Sequence, residues 1–172
     1  DYSDDEKENL FYGPALQAYL DTNYNEAVFK FNVYVDNFNE TGKHIGDGYY
    51  YLADSYLQLN DSINAIKNFE NSIKASSGNF KESAASRVSS YYYRLKSYSK
   101  SFDYYVLLEQ LGSTPSSINV ARLGIMRSAF FLEKYQVSKE YAMLVLENSS
   151  LNENLKSEAN YALGLSCYHL HI

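Results

Sequence analysis

Apolar side chains return every three or four residues along nearly the whole chain, and short polar stretches such as Asp21-Thr22-Asn23 and Leu59-Asn60-Asp61 interrupt them at intervals. That period stacks side chains on one face of an α-helix, so the pattern predicts amphipathic helices rather than strands. The predicted spans are 4–20, 24–38, 47–59, 62–75, 80–96, 98–111, 116–132, 135–147 and 153–170. Ser3 followed by Glu6 reads as a capping box opening the first helix. Asp4, Asp5 and Glu6 suit the positive end of that helix or form a solvated, frayed terminus. Thr114 before Pro115 reads as an N-cap with proline at the first helical position.

The helices recur in register. Ala15, Ala53, Ser89, Met126 and Gly164 stand at steps of 38, 36, 37 and 38 residues. Twelve residues beyond the first four come Ala27, Ala65, Ser101 and Ser138, all small. Tyr24, Ser62, Tyr98 and Tyr135 stand three residues before these, and Phe31, Phe69, Tyr105 and Ala142 one helical turn after them. Two antiparallel helices approach closely only where small side chains face each other, with bulky rings filling the space beside them. The pattern predicts one domain of stacked helix pairs, with units at about 8–45, 46–81, 82–118 and 119–156 and a partial unit at 157–172.

The second unit carries Tyr49-Tyr50-Tyr51-Leu52-Ala53-Asp54-Ser55-Tyr56, then Asn64-Ala65-Ile66 and Phe69, and the fifth carries Tyr161-Ala162-Leu163-Gly164. In these residues the chain resembles the tetratricopeptide repeat (TPR) family, over about four and a half units. It departs from the family in lacking the proline that closes the second helix. Its units also run two to four residues beyond the family's roughly 34, with the excess at Gly42–Ile45, Phe80–Lys81, Ser116–Ile118 and Glu153–Lys156. The resemblance implies an all-α, right-handed superhelical solenoid of antiparallel helix pairs, although another right-handed helical repeat of similar length fits the period as well. Ending within or just after the first helix of a fifth unit, the chain is expected to belong to a longer protein or to self-associate through an open C-terminal repeat.

Composition narrows the function classes. The 172 residues include 19 Tyr and 9 Phe against 2 Pro, 8 Gly, 1 Cys and no Trp, which excludes collagen-like, disulfide-scaffold and disordered readings. A net charge of −6 without any block of basic residues speaks against nucleic acid or an anionic membrane as the partner. Apolar runs such as Tyr104–Leu108 and Ala142–Leu146 are too short to span a bilayer. No signal-like segment opens the chain at Asp1, so any targeting information is expected to lie outside it.

No nucleophile elbow, zinc-protease motif, phosphate loop or dinucleotide fingerprint is present, so neither an enzyme nor a cofactor is expected. Cys167, His169 and His171 form a Cys-x-His-x-His string, but a spacing of two turns successive side chains to opposite sides of a helix. Cys167 is expected in the core and no metal is expected there. The Asn-x-Ser/Thr strings at Asn39, Asn60 and Asn148 carry no reading in so Asn-rich and Ser-rich a chain.

In the family that this chain resembles, the first helix of each unit lines a concave groove. Carried over by position, the resemblance implies a partner-binding groove of Tyr12, Tyr19, Tyr50, Asp54, Tyr93, Arg94, Arg127, Phe130, Tyr161 and Tyr168, with Leu57, Ser90, Phe131 and Leu165 beside them. The Lys/Asn/Lys/Arg set that clamps a terminal carboxylate in chaperone-binding relatives is missing from the matching positions. The expected function is a protein-interaction scaffold holding an extended or helical segment of a protein partner. Alternatives are the input module of a signalling protein and an outer-membrane assembly or lipoprotein-type factor. The Tyr-, Asn- and Ser-rich surface resembles envelope proteins of this kind, which sets the bacterial envelope or periplasm ahead of the cytoplasm.

Overall fold

The structure, a computed structural model, describes residues 2–171, and among them are nine α-helices and no strand. The helices are α1 (Asp4–Leu20), α2 (Tyr24–Phe38), α3 (Ile45–Gln58), α4 (Ser62–Lys74), α5 (Lys81–Arg94), α6 (Tyr98–Leu111), α7 (Pro115–Phe131), α8 (Tyr135–Leu146) and α9 (Glu153–His169). Both sequence-read starts hold. Ser3 and Glu6 exchange the two bonds of a capping box, and Thr114 Oγ1 accepts the Ser117 amide at 3.1 Å ahead of Pro115. α1 runs through Pro14 at an exposed position, where the missing N–H leaves the Leu10 carbonyl without its helical donor.

The chain divides into two compact units, Asp1–Ala84 and Ala85–Ile172, with the first turn of α5 in the former. Within the first, α1 packs on α2, α2 on α3 and α3 on α4; within the second, α6 packs on α7, α7 on α8 and α8 on α9. Ala15, Ala27, Ala53, Ala65, Ser89, Ser101 and Ser138 are wholly buried and Met126 nearly so. In the second unit the paired positions touch through the backbone: Ser101 Oγ donates to the Ser89 carbonyl and Ser138 Oγ to the Met126 carbonyl, both at 3.1 Å. At these contacts a hydroxyl stands beyond the Cβ, where the alanine repeats have only the methyl group, and bonds to the facing backbone. Gly164, the fifth register position, is exposed, with nothing near the place of a Cβ.

One turn joins the two helices of each pair. Thr22, Asn60, Lys96 and Glu133 all lie in the left-handed region, with φ between 58° and 62°. They recur at the repeat interval. In each turn the left-handed residue donates to the carbonyl three back, and the following residue donates to the carbonyl five back, as Asn23 N does to Ala18 O at 2.9 Å and Lys134 N to Ala129 O at 2.9 Å. This is a Schellman closure made without the glycine that usually supplies it. Tyr98 and Tyr135, just after two of these turns, lie flat on Phe131 and His169, at ring distances of 4.3 and 4.2 Å.

Each unit has its own polar anchor. Glu8 on α1 is buried and accepts from the Tyr34 hydroxyl at 2.6 Å and from the His44 and Lys43 amides at 2.9 and 3.0 Å, which ties α1 to α2 and to the start of α3. Burial opposes its charge, but these three bonds outweigh it and hold the carboxyl below its ordinary value. In the second unit Glu109 on α6 accepts from Arg122 Nε at 2.9 Å and from the Tyr141 hydroxyl at 2.7 Å. Burial and that bond push the Tyr141 phenol up to about 12. Gly124 is needed on α7 because a Cβ there would meet the ring of Tyr105.

Candidate interaction surface

The first unit uses its four expected groove residues largely for internal contacts. Tyr12 stacks on His44 at 4.6 Å and packs against Phe31 and Tyr34, so its ring belongs to the core cluster. The Tyr19 hydroxyl donates to Asp54 Oδ2 at 2.9 Å, and Asp54 is itself buried. Tyr50 stacks on Phe80 at 4.5 Å and meets Phe69 edge-on. Position by position these residues do lie on first helices. What the sequence does not convey is that rings from α2, from α4 and from the segment before α5 reach them.

The second unit presents a different surface. Four of its six expected residues, Tyr93, Arg127, Phe130 and Tyr161, converge on one cavity of about 180 Å³. Met126 and Ala162 floor it, and Phe131 completes its aromatic wall. Tyr161 and Phe131 remain largely exposed. Arg94 is exposed at the end of α5 and lines neither this cavity nor the one described next, and Tyr168 projects into solvent beside His169.

Glu158, which the repeat pattern does not mark, sets the electrostatics. Arg127 on α7 and Glu158 on α9 form a two-pronged ion pair at the cavity lip, with Nη2 2.6 Å from Oε2. That bond holds the Glu158 carboxyl below its ordinary value and raises the Arg127 guanidinium still higher. The cation expected to meet a partner already has its counter-ion. Nothing in the repeat pattern announces Glu158, because the equivalent place on α7 is Val120.

A second cavity of about 220 Å³ lies where the start of α7, the end of α8 and the link into α9 meet. Its apolar side is formed by Val120, Leu123, Val145, Leu151 and Leu155, and its rim by Ser116, Ser150 and the amides of Asn119, Asn148 and Asn152. None of these carries a charge. Asn148 Oδ1 accepts the Ser150 amide at 3.0 Å and Asn152 Oδ1 accepts the Leu155 amide at 2.9 Å. Each of these two side chains keeps its Nδ2 donors for another molecule or for water.

Cys167 departs from its expected place in the core. It is partly exposed, whereas its neighbour Ser166 is fully buried with its hydroxyl unpartnered among the described residues. The reason is one-sided cover. α9 buries Ala159, Ala162 and Ser166 against α7 and α8, with Leu163 packed beside them, while Cys167 lies at the margin of that face and Gly164 on the opposite side. Among the described residues no cluster of His, Cys, Asp and Glu could hold a metal ion, and no helix is long and apolar enough to cross a membrane. No protein-family model matches the chain, and no curated protein matches it.

Proposed function

We propose that the chain is a TPR-like, right-handed solenoid that serves as a protein-interaction scaffold, and that the α7–α9 face of its second unit receives a segment of a partner protein. The observation that carries this reading is the aromatic cavity bounded by Tyr93, Phe130 and Tyr161, with Met126 and Ala162 beneath. Rigid aromatic rings around an apolar floor give a large contact area for little loss of rotamer freedom. The titratable groups that line the cavity are Tyr93, Arg127, Glu158 and Tyr161. The only charged pair at its lip is already neutralised, which favours an apolar anchor over an acidic tail.

Selection of random peptides displayed on phage tests this reading, with the Tyr161→Ala protein as the counter-screen. Tyr161 is 68% exposed, so its truncation leaves the fold intact. Peptides that bind the parent protein and lose affinity for the variant support the reading. A selection that enriches nothing, or only peptides indifferent to Tyr161, overturns it.

A further inference from the structure

The two cavities of the second unit lie on one line. On α7 the first is lined by Ser116, Asn119, Val120 and Leu123, and the second by Met126, Arg127, Phe130 and Phe131. Taken turn by turn, as Ser116, Asn119 and Val120, Leu123, Met126 and Arg127, then Phe130 and Phe131, they advance by three or four residues and so form a single stripe along the helix. α9 contributes Leu155 to the first cavity and Glu158 and Ala162 to the second, again at such intervals. Resting on the scaffold reading above, we infer that this stripe binds one extended, uncharged polypeptide segment by two apolar anchors four residues apart, an aliphatic side chain in the first cavity and an aromatic one in the second.

The spacing follows from helix geometry. The α7 residues lining the two cavities are centred about nine residues apart, or about 14 Å at the helical rise. An extended chain covers that distance in about four residues, and an even number returns the side chain to the same face. A helical ligand would need about nine residues, which is two and a half turns and carries the second anchor to the far side. The chemistry agrees. An extended backbone has unpaired carbonyls, and the Nδ2 groups of Asn148 and Asn152, whose Oδ1 atoms already accept backbone amides, are donors suited to them. No charge lines the first cavity, and the only charges at the second are paired with each other. The first cavity has no ring on which a sugar could stack, and five aliphatic side chains form its wall.

Fluorescence anisotropy with labelled peptides tests the inference, using Leu-Ser-Thr-Ser-Phe and its reverse, the same anchors with one spacer residue fewer or more, and the parent protein with its Val120→Ser and Tyr161→Ala variants. Val120 is 48% exposed, so both substitutions lie on the surface. The expected result is saturable binding at the four-residue spacing in one orientation, at least about tenfold weaker binding at the other spacings, and a loss of similar size in each variant. Binding indifferent to spacing, or sensitive to Tyr161 alone, overturns the two-anchor inference and leaves the scaffold reading standing. So does failure of all these peptides while phage-selected ones still require Tyr161. Failure of both sets overturns the two together. Maltoheptaose occupying the first cavity where the peptides do not would assign that cavity to a saccharide and overturn the inference.

Discussion

Arg127 and Glu158, one on each of the two helices that frame the candidate groove, meet through two parallel hydrogen bonds, Nε to Oε1 at 2.5 Å and Nη2 to Oε2 at 2.6 Å. The pair joins helices that are separated by a whole repeat in the chain, and it does so beside the aromatic cavity. Both side chains keep about a third of their surface in solvent, which limits what the pair contributes to stability. A double-mutant cycle between Arg127→Ala and Glu158→Ala should give a coupling of about 1 kcal/mol at low ionic strength that shrinks at high salt. Urea melts at two salt concentrations measure it. A coupling unchanged by salt would mean that the two residues interact through packing instead.

Glu8 carries more of the fold. Its removal strands the Lys43 and His44 amides and the Tyr34 hydroxyl, so Glu8→Ala should destabilise the protein by about 2–3 kcal/mol. Its pH dependence has a definite sign. The folded-state pKa lies below the ordinary 4.5, so the stabilisation is complete above that pH and is lost as pH falls through the lower folded value. Denaturation followed from pH 7 downward should show a shallower acid limb in Glu8→Gln than in the parent protein. Identical limbs would remove Glu8 from the acid response.

The repeat register makes a prediction about size. Ala65 occupies the position held by Ser101 and Ser138 in other repeats, where a hydroxyl is accommodated against the partner helix. Ala65→Ser should cost less than about 1 kcal/mol, and Ala65→Leu about 1–3 kcal/mol by overpacking. Thermal melts of the two variants decide the matter, and equal losses would contradict the register.

Much of the fold is legible in the sequence. The small residues at 15, 53 and 89 and the small residues twelve positions after these and after Met126 predict the buried contacts, because close helix approach restricts side-chain size at those places. The turns were not legible, since the left-handed conformation falls on Thr22, Lys96 and Glu133, whose chemistry gives no sign of it. Of the surface, the sequence marks Tyr93, Arg127, Phe130 and Tyr161 by register. It does not separate them from Tyr12, Tyr19 and Tyr50: rings from other segments meet both sets, Phe31, Tyr24 and Phe80 in the first unit and Tyr98 and Tyr135 in the second, and what marks the second set is the cavity it borders, which depends on how α7 and α9 pack. Glu158 is invisible for a related reason: its partner is 31 residues away, an interval the repeat does not contain.

Those turns carry strain that can be relieved. Thr22, β-branched and at a φ of 58°, holds a conformation that glycine adopts without steric cost. Thr22→Gly should stabilise the protein by about 1 kcal/mol, with a smaller gain for Asn60→Gly because asparagine tolerates this region better. Chemical denaturation of the two variants tests the order, and destabilisation by Thr22→Gly would show that its side chain matters more than its backbone.

Methyl NMR follows both cavities at once. Met126 and Ala162 report on the aromatic cavity, and Leu123 and Leu155 on the aliphatic one. Titration with the Leu-Ser-Thr-Ser-Phe peptide or its reverse should shift all four sets of methyl signals along one saturation curve and leave the buried Ala27 and Ala53 methyls of the first unit unmoved. Absence of any shift at all four sites at saturating peptide, or movement confined to the first unit, would contradict the assignment of the α7–α9 face as the binding surface.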